Sequence, residues 1–161
     1  MPYPAIAVAN EIIKLANREK IDITPMKLQK ILYLAYGIYF KRKGERLTIE
    51  KFEPWEYGPV IKSVYYRYKL CGGNNIDEPI DDPISAGGYS TILPSAVIIP
   101  PDDLTIIKEA WDNAKNLSAF TLSAWSHNKN SPWDKAFHTN PQSAYISDDD
   151  IKEYFDRLIT N

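Results

Sequence analysis

The sequence predicts a mainly α-helical fold, a compact bundle of about six helices with a long Gly/Pro-rich excursion and room for one short β-hairpin. Three observations support this class. Apolar residues recur at helical spacing, most such segments are bordered by capping or stop residues, and strand-like stretches are short. The 161 residues are 44% hydrophobic and 25% charged, which is typical of one globular domain, here spanning residues 1–161.

The first two helices have clear boundaries. Residues 5–16 carry apolar side chains at helical spacing after Pro4, which suits a first helical turn. Thr24 and Pro25 read as the N-cap and first residue of a second helix that ends at Gly44. The apolar stripe of this second helix is so wide that we expect it at the centre of the core.

The next segment combines an extended stretch with a third helix. Residues 50–57 mix aromatic residues with a proline, which favours a short edge strand or an extended connection. Gly58 and Pro59 are expected to restart helical geometry and open the third helix, which ends near Cys71.

The second half contains the excursion and the remaining helices. Nine of the thirty residues from 72 to 101 are Gly or Pro, so their conformation is the hardest to predict. Asp102 or Asp103 is expected to cap a fourth helix and Ser118 a fifth. Ser131 opens a brief helical turn, and Ser147 with three following aspartates opens the last helix.

Charge is distributed unevenly along the chain. Residues 1–70 hold 13 Lys/Arg and 7 Asp/Glu, whereas residues 71–161 hold 6 and 14, so +6 and −8 give the net charge of −2. We expect the two halves to attract each other within one fold, although the polarity could also steer a charged macromolecule. The acidic balance argues against a nucleic-acid partner. A DNA-binding regulator remains the alternative, using the basic cluster Lys41, Arg42, Lys43 and Arg46.

No reaction centre or cofactor site is evident, so we predict no catalytic, cofactor-binding or metal-binding residues and no enzyme activity. The glycines lack the spacing of a phosphate-binding loop, and the single Cys71 cannot form an internal disulfide or a zinc cluster. A metal-dependent enzyme using His127, Asp134 and His138 is a weaker alternative, because their spacing matches no ligand template.

A cytoplasmic location and no membrane partner are expected. The sequence shows no secretory leader, and the uncharged residues 31–40 are too few to span a bilayer. Eleven tyrosines and four tryptophans suit either a protein interface or the rim of a small core. Tyr65, Tyr66 and Tyr68 cannot share one helix face, so at least one should be exposed.

Three segments together resemble a known family. They are Met-Lys-Leu-Gln-Lys-Ile-Leu-Tyr at 26–33, Trp-Glu-Tyr-Gly-Pro-Val at 55–60, and Ser-Pro-Trp at 131–133. In this order they are similar to the Panacea domain, which includes SocA-like antitoxins and phage-associated GepA-like proteins. The resemblance covers nearly the whole chain, and the long excursion before the fourth helix is a departure from it.

The resemblance implies an antitoxin of a bacterial or phage toxin–antitoxin system. Members of the family neutralise toxins by direct protein binding, so the implied partner is a cognate toxin encoded nearby. One member presents its toxin to a ClpXP-type protease, which implies a possible second partner. The family brings no catalytic residues with it.

The candidate partner-binding or motif residues come from the same segments and their neighbours. Lys27, Gln29 and Lys30 should not all be buried, which makes them the first candidates for a partner surface. Structural roles are the alternative for several others: a turn at Gly58 and Pro59, and a cap at Ser131. The full set also contains Trp55, Tyr57, Val60, Tyr65 and Trp133.

Overall fold

The computed structural model describes residues 2–85, 91–139 and 145–159, and this part of the chain is mainly helical, as predicted. The elements in chain order are α1 Ala5–Glu19, α2 Pro25–Lys43, β1 Glu53–Trp55, β2 Gly58–Val60, α3 Lys62–Tyr68, β3 Ile84–Ser85, β4 Thr91–Ile92, α4 Pro101–Ala114, α5 Ala119–Ser126, α6 Pro132–Asp134 and α7 Asp148–Leu158. Short 3-10 turns at Lys69–Cys71 and Pro94–Ala96 and a π turn at Lys135–Thr139 complete them.

Helix α2 lies at the centre of the bundle, as its wide apolar stripe predicts. It contacts α1, α3, α4, α5, α7 and β2. Its residues 27–33 and 35–40 are buried, so packing covers it on every side. The Thr24 side chain accepts a hydrogen bond from the Lys27 N–H at 3.2 Å, and Gly44 ends the helix with a φ of 74°.

Ion pairs join the basic cluster to the acidic second half of the chain, which confirms the expected attraction between the halves. The pairs are Lys41–Asp156 at 3.8 Å, Arg42–Glu109 at 2.8 Å, Lys43–Asp103 at 3.6 Å and Arg46–Asp148 at 3.7 Å. The cations are therefore compensated within the chain by carboxylates of α4 and α7.

The expected helix start at Pro59 is wrong. Residues 58–60 form β2, which pairs antiparallel with β1 around a two-residue turn, and α3 begins only at Lys62. Pro54 lies opposite Pro59 in this hairpin. The pair next to the two-residue turn, Trp55 and Gly58, is a hydrogen-bonded one, so Pro54 and Pro59 form a non-hydrogen-bonded pair, at which the ladder does not need the N–H that each proline lacks.

The expected aspartate cap of α4 is also wrong. The helix begins at Pro101 after Pro100 and has no side-chain cap. Asp103 is buried instead and accepts hydrogen bonds from the hydroxyls of Tyr3 and Tyr39. The pKa of Tyr39 is raised to about 12, mainly by burial and secondly by its hydrogen bond to Asp103.

The excursion is tied to α1, and residues 86–90 of it lie outside the described residues. Asn10 donates to the Ile80 carbonyl at 3.0 Å, and Asn17 donates to the Ile76 carbonyl at 3.1 Å. β3 and β4 form the short hairpin that the sequence allowed. The conformation of the excursion is hard to predict from its own sequence, and hydrogen bonds from two asparagines of α1 hold part of it in place.

Candidate functional site

An apolar groove of about 390 Å³ opens between the first turns of α2, the β1–β2 hairpin and α3. Several of its lining residues lie far apart in the sequence, and the fold brings them together. Six of the predicted candidates line it: Gln29, Lys30, Trp55, Tyr57, Val60 and Tyr65. Leu28, Val64 and Tyr68 add apolar surface, and Met26 and Glu56 are also among the lining residues.

Aromatic side chains form one wall and part of the rim of the groove. The ring centroids of Trp55 and Tyr65 are 4.8 Å apart, and those of Tyr65 and Tyr66 are 5.4 Å apart. Tyr57, in the turn of the hairpin, is 63% exposed, and Tyr66, which does not line the groove, is 58% exposed. The expectation that at least one tyrosine of the third helix is exposed is thus confirmed.

Helix α2 holds the second strand of the hairpin through two buried polar side chains. The Gln29 amide donates to the Ile61 carbonyl at 3.1 Å and accepts from the Ile61 N–H at 3.0 Å. Lys30 Nζ donates to the Pro59 carbonyl at 3.2 Å. These bonds satisfy backbone groups that the two-stranded ribbon leaves unpaired on this side.

Side chains from the second half of the chain hold the tip of the hairpin. Trp133 Nε1 donates to the Trp55 carbonyl at 2.6 Å, and Ser123 Oγ donates to the Tyr57 carbonyl at 2.9 Å. His127 Nε2 lies 3.1 Å from the Glu56 carbonyl, so this nitrogen carries the proton. Together with the two side chains of α2, these groups bind four carbonyls of the hairpin and the carbonyl of Ile61, which directly follows it, and the groove wall is therefore preorganised.

Gly58 is required where the hairpin meets α2. Its φ is +115°, and a Cβ there would lie 2.7 Å from Lys30 Cε and 2.9 Å from Ser126 Oγ. A side chain at this position would be strained and would push the hairpin away from α2. The expected role of Gly58 in a turn that opens the third helix is wrong, because Gly58 is the first residue of β2 and pairs with Trp55 directly after the hairpin turn.

Lys30 is a buried cation in the wall of the groove. Among the described residues no carboxylate forms an ion pair with it. Burial lowers the pKa of its ammonium to about 8, because the apolar surroundings disfavour the charged form.

The expectation that Lys27, Gln29 and Lys30 are not all buried is wrong, since their exposed fractions are 8%, 4% and 1%. Backbone carbonyls of distant segments accept their hydrogen bonds and make their burial possible. Lys27 lies outside the groove, where its Nζ donates to the Lys115 carbonyl at 2.6 Å.

Ser131 and Trp133 lie behind the hairpin and not in the groove. Ser131 Oγ accepts from the Asp134 N–H at 3.1 Å, which confirms its role as an N-cap. Trp133 is buried, and its ring stacks on Phe137 with centroids 4.7 Å apart. Ser123, which supports the tip of the hairpin, carries no local sequence pattern that signals this role.

The two histidines have structural contacts of their own. His138 Nδ1 lies 2.8 Å from an Asp134 carboxylate oxygen, and both histidine rings pack edge-on against Trp133. Within the described ranges, no group of three or more His, Cys, Asp or Glu side chains could hold a metal ion. No helix in this part of the chain combines the length and apolar character needed to cross a membrane.

Comparison with known proteins supports the motif resemblance. The profile of the family described as "Antitoxin SocA-like, Panacea domain" matches residues 28–134, which include both strands of the hairpin and most of α2. The chain belongs to this family.

The SocA-like chain is 34% identical over 134 residues to the protein named Antitoxin SocA of Caulobacter vibrioides (strain NA1000 / CB15N). The match covers 81% of this chain and 68% of that protein. No solved structure matches the chain significantly. Family membership supports an antitoxin role and favours a non-enzymatic regulatory protein.

Proposed function

We propose that the protein is a cytoplasmic antitoxin that binds a cognate toxin encoded nearby and masks it, with the groove as the binding surface. The observation that carries the proposal is the preformed apolar groove, two of whose walls come from the segments 26–33 and 55–60 that resemble the family. Membership of a family with a named antitoxin supports the choice of partner.

The composition of the groove suits a protein partner. Trp and Tyr are the residues that most often anchor protein interfaces, and Trp55, Tyr57 and Tyr65 lie together here. A cavity of about 390 Å³ accommodates a few side chains of a partner. Because five side chains already fix the hairpin, binding loses little conformational freedom in this wall.

The DNA-binding alternative has less support. The basic cluster at 41–46 forms ion pairs with four carboxylates of the same chain, which weakens its attraction for phosphates. A protein partner also fits the acidic balance of the chain better.

Co-expression tests the proposal directly. The product of the adjacent open reading frame is induced in bacteria with and without this protein, and growth and co-purification are measured. Restored growth with a co-purifying complex is the expected result. Unchanged growth arrest without a complex contradicts the proposal.

The level of the toxin separates masking from delivery to a protease. Masking leaves the toxin present in the complex. Delivery to a ClpXP-type protease removes it in ordinary cells and spares it in cells that lack the protease.

A further inference from the structure

Lys30 differs from most buried cations because the described chain supplies no anion to it. Its ammonium has three N–H donors, and one hydrogen bond, to the Pro59 carbonyl, is present. Buried charges are normally paired, because an uncompensated charge is costly in apolar surroundings. The groove therefore contains unused capacity to bind an anion.

Lys27 provides an internal comparison. It is a buried lysine on the same helix that does not line the groove, and its ammonium donates to the Lys115 carbonyl and lies 6.0 Å from the centre of the Trp111 ring. Lys30 instead lines the open groove beside Trp55 and Tyr65. Of these two buried lysines, Lys30 is therefore the one that a partner in the groove would meet.

We infer that the groove receives an acidic side chain of the partner protein, with its carboxylate on Lys30 Nζ and an adjacent apolar side chain against Trp55 and Tyr65. The inference rests on the proposed function, in which this partner is the toxin. Apolar walls exclude water from such a pair and strengthen the attraction between ammonium and carboxylate.

A side-chain carboxylate fits this site better than the carboxylate at a chain end. Chain termini are commonly captured by backbone N–H groups. Here the hairpin contacts the neighbouring helices mainly through carbonyl oxygens, which accept hydrogen bonds. The Gln29 amide is already hydrogen-bonded to the backbone of Ile61. Among the described residues that line the groove, Lys30 is the only lysine or arginine, and its single ammonium suits one carboxylate carried on a flexible stem.

Three acetylated dipeptides test the inference by NMR titration of the full chain. The probes are acetyl-Leu-Glu-amide, acetyl-Leu-Gln-amide and acetyl-Leu-Gln with a free carboxylate. We expect the Glu-amide probe to bind about tenfold more tightly than its Gln counterpart, which corresponds to about 1.4 kcal/mol. The shifts should centre on Gln29, Tyr57 and Tyr65.

Two lysine variants locate the effect. Lys30→Met should abolish the preference for the Glu probe, and the matched Lys27→Met should keep it, because Lys27 lies outside the groove. Equal binding of the Glu and Gln probes, tighter binding of the free-carboxylate probe, or a preference retained in Lys30→Met overturns the inference. If Lys30→Met does not fold, the relative affinities of the unaltered protein for the three probes still test the inference.

The inference and the proposed function fail in different ways. Lack of the Glu preference, with growth still restored by the unaltered protein, removes the inference and leaves the function. Lack of growth rescue in spite of the Glu preference removes the function, and with it the toxin as the identified partner.

Discussion

The ring of Phe155 in α7 lies directly against the backbone of Gly37 in α2. A Cβ atom placed on residue 37 would be 2.2 Å from Phe155 Cε2, far inside van der Waals contact. Both residues lie in the hydrophobic core region, where Phe155 is fully buried. The absence of a side chain at Gly37 lets the last helix approach the central helix this closely.

Gly37→Ala should therefore lower the free energy of unfolding by about 1–3 kcal/mol, because overpacking outweighs the better helix propensity of alanine. Urea denaturation measures this. The matched control is Gly73→Ala, where the added methyl group meets nothing within 4 Å and should change little. A Gly37→Ala protein as stable as the unaltered chain contradicts the close packing.

The Tyr33 hydroxyl is buried and has no hydrogen-bond partner among the described residues. Removing it with Tyr33→Phe should leave the free energy of unfolding unchanged or raise it by about 1 kcal/mol, since an unpaired buried hydroxyl is costly. Tyr36→Phe is the control, because it loses the 2.6 Å bond to Asp148 and should cost about 1–3 kcal/mol. A larger loss for Tyr33→Phe than for Tyr36→Phe would argue for an unseen partner.

Lys30 should make stability depend on pH in the alkaline range. Its pKa falls from the ordinary 10.5 to about 8 on folding, so between these values the unfolded chain binds more protons and stability rises with pH. Below pH 8 the folded state bears the full cost of the buried charge. The free energy of unfolding, relative to Lys30→Met, should rise by up to about 3 kcal/mol between pH 7 and 11.

The comparison with Lys30→Met cancels groups that titrate equally in both proteins. Lys30→Met itself should be as stable as the unaltered protein at pH 7, or more so, because an apolar replacement of a buried charge is often neutral or stabilising. A pH-independent difference between the two proteins contradicts the buried ammonium.

Gln29→Ala should destabilise the hairpin, because it leaves both the N–H and the carbonyl of Ile61 without their partner. We expect a loss of about 2–4 kcal/mol and faster hydrogen exchange at the Ile61 N–H. Thr105→Ala removes a side chain to backbone bond at an exposed site and should change little. If the Ile61 N–H exchanges as slowly in Gln29→Ala as in the unaltered protein, the result contradicts this role of Gln29.

Periodicity and capping residues predicted the helices well but not the hairpin. Thr24 and Gly44 mark the ends of α2 through local backbone rules, which the sequence displays directly. Pro59 obeys the rule for a first helical residue equally well, and only its pairing with Pro54 makes it a strand residue. Such pairing is a nonlocal property that no window of the sequence contains.

The candidate site was predicted in its segments but not in its roles. The motif residues Trp55, Tyr57 and Val60 do line one groove. Lys30 is buried because a distant carbonyl accepts its hydrogen bond, and helical spacing does not reveal such a partner. Trp133 supports the hairpin from behind, since it reaches the carbonyl of a residue 78 positions away.

The affinity of the adjacent-gene product for two tyrosine variants tests the central claim most directly. Tyr57 and Tyr66 are similarly exposed, but Tyr57 borders the groove, and Tyr66 borders a different hollow with Arg46 and Lys62. By calorimetry, Tyr57→Ala should weaken binding about 30-fold, the effect of an interface anchor worth about 2 kcal/mol, and Tyr66→Ala at most about twofold. Equal affinities for both variants and the unaltered protein would contradict binding through the groove.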